Sequence, residues 1–312
     1  MLRSRTVLAQ DGVALHDVAC RNGQGRGREI ERVSAHTLIF VRRGCFVRSA
    51  ENGDALLDPT FAYCVNPGEA ERYDHPHTDG DDCTALSLDP DLLAALWGGE
   101  PTLPTHPLPT TPDVDVEHRL LLAAAGRGGD PHQLVERALV LTARVLEGAD
   151  RRRVAAGDPR SARRRRALVD SAREALAAAP GRSLPELAHE LSVSPHHLSR
   201  IFRSITGHTI SRHRMRLRAR AALERLGGGE RDLAWLATDL GFADQSHLCR
   251  VLRDETGRAP SGWRQMLEQA SDLQPTPTRP CDGGRRGSHG TIALADETAL
   301  VGDTRAVDDE AG

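Results

Sequence analysis

The sequence contains no lysine: all 41 basic residues among its 312 are arginine. We read that as coding bias, since arginine is otherwise favoured over lysine only where bidentate contacts matter. Six cysteines (Cys20, Cys45, Cys64, Cys83, Cys249 and Cys281) are scattered without a CxxC pair. That pattern fits reduced thiols better than a disulfide frame or a zinc site. Cys45, Cys64 and Cys83 accordingly read as small core residues, not redox sensors. No stretch approaches the roughly 20 apolar residues of a membrane span, and no apolar run of signal length follows Arg3 and Arg5. A cytoplasmic protein with no membrane partner is expected.

What is present is unevenly distributed. The net charge of -3 divides into an acidic stretch, residues 1–157, with 17 Arg against 23 Asp and Glu. A basic stretch, 158–270, has 20 against 13, and an acidic end, 271–312, has 4 against 8. A basic module between two acidic ones points to a polyanionic partner for that module. The length suits two ordinary domains with real cores, and two domains are expected.

Between Thr37 and Leu88 short apolar runs alternate with turn formers. Strands are predicted at Thr37–Val41, Cys45–Val47, Phe61–Val65 and Cys83–Leu88, with turns at Arg43-Gly44, Glu51–Asp54 and Asn66-Pro-Gly68. Regularly spaced short strands suggest a small barrel or sandwich. After Asp89 the period becomes helical, over Pro90–Trp97, Val116–Ala125 and Pro131–Glu147. Leu134, Ala138, Leu141, Val145 and Leu146 give the last of these an apolar face, to pack on the barrel or on a second subunit. The runs Arg151–Arg153 and Arg163–Arg166 read as an exposed linker over 151–166, and the Pro- and Gly-rich residues 269–312 as a disordered acidic tail.

The strongest signal is an internal repeat at an offset of 50 residues. His197-Leu-Ser-Arg-Ile-Phe-Arg-Ser-Ile-Thr-Gly207 lies over His247-Leu-Cys-Arg-Val-Leu-Arg-Asp-Glu-Thr-Gly257, with six of eleven positions identical. Each copy reads as helix, tight turn, helix, over 184–205 and 233–255. Ser183 with Glu186 forms a capping box, and Ser194, Asp232 and Asp244 are further caps. Pro195 occupies a first helical position, and Gly207 and Gly257 are stops. Leu198, Ile201, Phe202 and Ile205 should face one core, and Leu236, Ala237, Leu240, Phe242, Leu248, Val251 and Leu252 the other. The arginine-rich stretch Ser211–Leu226 reads as a rigid helical spacer.

Removing the core face leaves an outer face on each second helix. It carries His196, Ser199, Arg200 and Arg203 in the first copy, and Gln245, Ser246, His247, Arg250 and Arg253 in the second. Arginine can bond a guanine edge with two donors and glutamine can pair with adenine. Phosphates would sit at the N-terminal ends after Ser194 and Asp244, with Arg212 nearby. Residues 167–268, and above all Leu240-Gly-Phe-Ala-Asp-Gln-Ser-His-Leu-Cys-Arg-Val-Leu-Arg253 followed by Thr256–Arg264, resemble the DNA-binding domain of the AraC/XylS family. The resemblance implies a seven-helix module with two recognition helices in successive major grooves. By matching position, base contacts fall on His196, Ser199, Arg200, Gln245, Ser246, His247 and Arg250. Cys249 and Leu252 depart from the small polar and aromatic residues usual there.

Residues 1–112 resemble the cupin-like sensor domain that many of these regulators carry before a helical dimerisation segment, here 113–150. The resemblance rests on Asp58–Glu69 and His75-Pro-His77. It implies an α+β multidomain chain, a β-rich cupin-like barrel with a helical segment followed by an all-α domain with two helix-turn-helix units. The partners it implies are double-stranded DNA, RNA polymerase, a small-molecule effector at the N-terminal domain and a homodimer partner. His75-x-His77 would put two imidazoles on one side, with His36, Asp74 and Asp79 as further ligands. The glutamate expected after such a pair is missing, so no metal or other cofactor is assigned and no catalytic residue is named. A metal-dependent cupin enzyme fused to a DNA-binding module is the alternative.

Overall fold

Side chains on a strand alternate between two faces, and in the middle of the N-terminal half both faces are apolar. The computed structural model shows both buried; it describes residues 2–21, 25–26, 31–51, 53–76, 80–97, 102–150 and 159–270. The strands are β1 (Leu2–Gln10), β2 (Val13–Cys20), β3 (Gly25–Arg26), β4 (Glu31–Arg32), β5 (His36–Arg43), β6 (Phe46–Ala50), β7 (Gly53–Leu57), β8 (Phe61–Val65), β9 (Ala70–His75) and β10 (Asp81–Leu88). Helix α1 (Pro90–Trp97) and strand β11 (Leu108–Pro109) follow. The strands pair antiparallel in two sheets, one ordered β1-β2-β10-β5-β8-β11 and one ordered β3-β9-β6-β7, with β4 beside β9.

From β5, Val41 joins Tyr63, Val65 and Cys83 and meets Phe46 and Leu57 of the second sheet. On its opposite face Leu38 and Phe40 join Ala62, Cys64, Leu86 and Leu88 in a core shared with helices. The predicted strands all form, with slightly different bounds. Strands β1 and β2 were not anticipated, although the Asp11-Gly12 pair between them is a strong hairpin signal. Both residues have positive φ, 48° and 75°. The first half of β1 is exposed, so its apolar pattern is weak.

The helices are α2 (Pro112–Gly126), α3 (Pro131–Asp150), α4 (Pro159–Ala178), α5 (Leu184–Glu190), α6 (Pro195–Thr206), α7 (Ile210–Gly227), α8 (Leu233–Asp239), α9 (Gln245–Thr256) and α10 (Pro260–Glu268). The apolar face of α3 is buried and packs on α2, β1 and β11. Of the two places open to it, the barrel side is the one occupied. The predicted linker is corrected in its second half. Arg163–Arg166 are exposed residues within α4, because arginine favours helix and Val169, Ala172, Ala175 and Leu176 behind them supply a buried face. Residues 151–158 and the predicted tail, 271–312, lie outside the described residues.

The helical half is built on two cores. Val169, Leu176, Leu187, Leu198, Phe202, Ile210 and Leu217 close one around α4, α5, α6 and the start of α7. Ala222, Leu226, Leu236, Phe242, Leu248, Leu252 and Trp263 belong to a second, continuous with α2, α3 and the barrel face. The barrel meets the first group through a buried charge cluster. Asp58, fully buried at the end of β7, accepts from Arg173 Nε of α4 at 2.9 Å and from the Thr60 N–H and hydroxyl at 2.8 and 2.6 Å. The oxygen that Arg173 bonds, Oδ2, also lies 3.6 Å from His213 Nε2 of α7. The Arg173 guanidinium also stacks 4.1 Å from the Phe61 ring centre and donates to the Leu56 carbonyl.

Removing Arg173 leaves a buried carboxylate without its main cation. Arg173→Met is expected to cost about 3–5 kcal/mol of stability, read by urea denaturation. Acid should act on the same cluster. Burial pushes the Asp58 carboxyl up, but Arg173, His213 and the Thr60 bonds outweigh it and hold it well below the usual range. Burial pushes His213 down to about 3 and His208 to about 4. The unfolded chain binds these protons more readily, so the histidine contribution is complete above about pH 6.5 and is lost as pH falls toward 3. The Asp58 contribution is lost below about pH 4. The urea midpoint should therefore fall between pH 7.5 and 5, and His213→Phe should flatten that fall.

Candidate nucleic-acid interface

Helix-stop and helix-start chemistry sets out the two units as the sequence suggests. The Ser183 N–H donates to Glu186 Oε2 at 2.7 Å and the Glu186 N–H to Ser183 Oγ at 3.3 Å, completing the capping box of α5. Asp232 caps α8 through the Ala234 and Trp235 N–H groups. Helix α6 begins with Ser194 accepting from the His197 N–H at 3.2 Å, and α9 with Asp244 accepting from the His247 N–H at 2.7 Å. Both end in glycines with φ of 78° and 74°, Gly207 and Gly257, which relieves the steric cost of a left-handed stop.

The repeat runs further than the eleven matched residues. The start of α7 and α10 form a third helix in each copy, with His213 and Trp263 buried at equivalent places. Trp263 Nε1 donates to Thr256 Oγ1 at 2.5 Å, while the His213 ring packs edge-on to Phe202 at 5.4 Å. Ser211 and Arg214 stand over Ser261 and Arg264 at the same offset, a signal the shorter match left unused.

The predicted core residues are buried or half-buried, with one exception. Ile205 is 42% exposed. It faces a cavity of about 520 Å³ between the barrel and the helices, whose lining includes Phe61, Leu108, Val169, Arg173 and Arg216. The last apolar step of α6 runs past its core and reaches this opening.

On the outer faces, His196, Arg200 and Arg203 of α6 and Gln245, Ser246, Arg250 and Arg253 of α9 are exposed, and Ser199 is half-buried. His247 is also half-buried: its Nδ1 accepts from the Ala243 N–H at 3.3 Å and its ring stands edge-on to Phe242 at 5.4 Å. Among the described residues, no acidic side chain pairs with Arg200, Arg203, Arg250 or Arg253. Ser194 and Asp244, expected at phosphates, spend their side-chain oxygens on helix caps. A carboxylate at the start of α9 repels phosphate, so any anion there must be met by backbone N–H groups.

The spacer arginines of α7 are engaged inside the protein. Arg218 donates to the carbonyls of Pro180, before α5, and Gly241, in the turn of the second unit, at 3.1 and 2.5 Å. Gly241 has φ of 71°, and a Cβ there would stand 3.0 Å from the same guanidinium. Arg214 donates to the Arg182 carbonyl. Arg220 pairs with Asp115, Arg216 donates to the Thr110 carbonyl at 2.7 Å, and Arg225 pairs with Asp239 at 2.9 Å. Arg212, expected at a phosphate, is 59% exposed but bonded to Glu255 of α9 at 2.9 Å. Of the metal group suggested around His75, His36 bonds Asn66 at 3.2 Å, and His77 and Asp79 lie outside the described residues. Asp74 alternates to the opposite face from His75.

Comparison with known proteins singles out the same region. A family model described as a helix-turn-helix domain matches residues 187–266. The regulatory protein SoxS of Salmonella typhimurium is 33% identical over 81 residues, which are 26% of this chain and 76% of that protein. The C-terminal domain of AraT, a response regulator from Geobacillus stearothermophilus, is 24% identical with a TM-score of 0.30, covering 31% of this chain and 84% of that one. ToxT from Vibrio cholerae O395 is 10% identical with a TM-score of 0.33, covering 82% of this chain and 98% of that one. No described helix is long and apolar enough to cross a membrane.

The two caps allow a direct check of how each unit is held. Ser194→Ala and Asp244→Ala should each cost about 1 kcal/mol, read by chemical denaturation, and the loss should be local to the capped helix in amide exchange.

Proposed function

Because the chain belongs to the AraC/XylS family of DNA-binding transcription regulators, we propose that it reads one asymmetric site on double-stranded DNA, with α6 and α9 in successive major grooves. The observation that carries this reading is the division of its arginines. Those of the spacer helix bond to carboxylates and carbonyls within the chain, whereas Arg200, Arg203, Arg250 and Arg253 stand on two exposed helix faces without an acidic partner among the described residues. A guanidinium left free on such a face suits a guanine edge or a phosphate. His196, Ser199 and Arg200 read bases in one groove; Gln245, Ser246 and Arg250 read them in the other, with His247 offering its Nε2. Arg203 and Arg253, one turn further along, complete the contacts. The grooves lie about 34 Å apart on one face of the duplex.

The N-terminal half adjusts this grip. Its effector belongs in the cavity beside Ile205, since the space between the two sheets is filled by Phe46, Leu57, Tyr63 and their neighbours. A molecule seated in the cavity touches the barrel, α4, α6, α7 and Glu255 of α9 together, and so biases how firmly the helices are held. RNA polymerase is the downstream partner and the cytoplasm the setting that accompany this role. A second copy of the chain would have to use a surface other than the apolar face of α3, which is covered within the chain.

Binding measurements separate base reading from charge. Arg250→Ala should weaken binding to the selected site by about 1–3 kcal/mol and relax preference at one base pair. Arg212→Ala, if its exposed end reaches a phosphate beyond Glu255, should weaken all sequences alike and lower the salt slope by about one. Equal affinity of the wild-type protein for random fragments and for fragments selected from the native genome would sink the reading.

A further inference from the structure

Five carboxylates are buried among the described residues: Asp58, Glu71, Asp81, Glu117 and Glu255. Four have a guanidinium against them, from Arg173, Arg48, Arg137 and Arg212 in turn. Asp81 is the exception. Its side chain meets His75 Nε2 at 2.7 Å and the Cys83 thiol at 3.2 Å. The nearby Arg21 donates to the Asp81 backbone carbonyl and pairs with Asp82 instead. Beside this carboxylate lies Cys20, a reduced and buried thiol. One donor atom each from Cys20, His75 and Asp81 all lie within 4.8 Å of one another.

We propose that Cys20, His75 and Asp81 form a binding site for one divalent transition metal of the zinc class. The three donors come together for topological reasons. Cys20 ends β2 and Asp81 begins β10, and they are direct cross-strand partners, so their side chains leave the sheet on the same face. His75, at the end of β9, reaches them from the second sheet. Gly80 permits the approach: with φ of 68°, it occupies a place where a Cβ would lie 1.9 Å from the Cys20 carbonyl oxygen.

Thiolate, imidazole and carboxylate are the donor types that zinc takes, at bond lengths of about 2.0–2.3 Å and so at donor separations of about 3.3–3.8 Å in a tetrahedron. Metal entry needs a small opening of the His75–Asp81 contact from 2.7 Å, where the metal replaces a proton, with the Cys20 sulfur drawn in from within 4.8 Å. One thiolate and one carboxylate neutralise a divalent ion, which answers the cost of holding charge at exposures of 6%, 8% and 4% for the three residues. The Cys83 thiol orients the free carboxylate oxygen, and Phe46 packs 6.0 Å from the His75 ring, supplying the outer support that metal ligands require. The fourth position is open to water or to a small ligand. Bound metal would tie the first sheet to the second at this end of the barrel.

The inference is independent of DNA binding and is tested on the full chain, reduced, stripped with chelator and titrated with Zn(II), then with Co(II). The expected result is one equivalent per chain, a higher Tm, and for Co(II) a near-ultraviolet thiolate charge-transfer band with tetrahedral visible absorption. Cys20→Ser should abolish the band, and both it and His75→Gln should weaken binding at least about tenfold. Cys249→Ser should leave both unchanged. Failure to retain an equivalent, Co(II) bound without a thiolate band, or a band that survives Cys20→Ser overturns the site. Should Cys20→Ser fail to fold, the wild-type spectrum and the at least about tenfold weaker binding of His75→Gln decide, and unchanged affinity in His75→Gln overturns the site.

Discussion

A carboxylate with no exposure to water requires a cation, and for Asp58 of the barrel it is carried by a helix more than a hundred residues away in sequence. Arg173 of α4 supplies that charge, and the imidazole of His213 of α7, kept neutral by burial, packs 3.6 Å from the same carboxylate. One residue at the end of a strand therefore orients two helices, and those two helices wall the core of the first helix-turn-helix unit. Leu198 and Phe202 reach that core only if α4 and α7 stand where Asp58 holds them. The position of α6, and with it the face carrying Arg200 and Arg203, follows from a charge requirement in the other half of the chain.

The same requirement sorts the arginines. A chain without lysine must use guanidinium for every fixed positive charge, whether as an internal strut or as a surface contact. A guanidinium can bond several carbonyls at once, which is how Arg218 joins the approach to the first unit to the turn of the second. Charge counting could not tell these arginines from those left over for a ligand. The basic excess of residues 158–270 points to a polyanion, but much of it is spent within the protein. The proposed reading of DNA rests on a smaller set, the four arginines of α6 and α9 that are exposed and without an acidic partner among the described residues.

How much of this was legible depends on whether the cause was local. Caps, stops and the apolar stripe of each short helix are decided within four or five residues, so Ser183, Ser194, Asp232, Asp244, Gly207 and Gly257 were identified from the sequence with their structural roles. The central strands were legible because both their faces are buried. Strand β1 was not, since most of its first half faces water, and the Asp11-Gly12 turn that would have revealed it went unweighed. The arginine runs misled for a physical reason: Arg163–Arg166 look like a linker by charge, while the apolar residues that make them helical lie behind them. The roles of Arg212 and His247 were partly hidden because their partners, Glu255 and the Phe242 turn, are supplied by tertiary packing. The donors grouped with His75 were equally beyond reach, because Cys20 and Asp81 are brought together by strand register.

The two helix-turn-helix units are copies in sequence but are attached to the rest of the chain by different physics. The second shares a continuous apolar core with α2 and the barrel. Parting it would expose that whole surface, which close packing makes an all-or-none event. The first closes its own core and meets the barrel through the Asp58 cluster and across the cavity beside Ile205. Polar contacts around an opening can be exchanged for contacts to a small molecule without exposing a core. The geometry therefore separates a unit anchored by a shared apolar core from one held to the barrel by polar contacts. The opening is lined by Ile205 and Thr206 of α6, whereas α9 reaches it only through Glu255, which Arg212 of α7 holds.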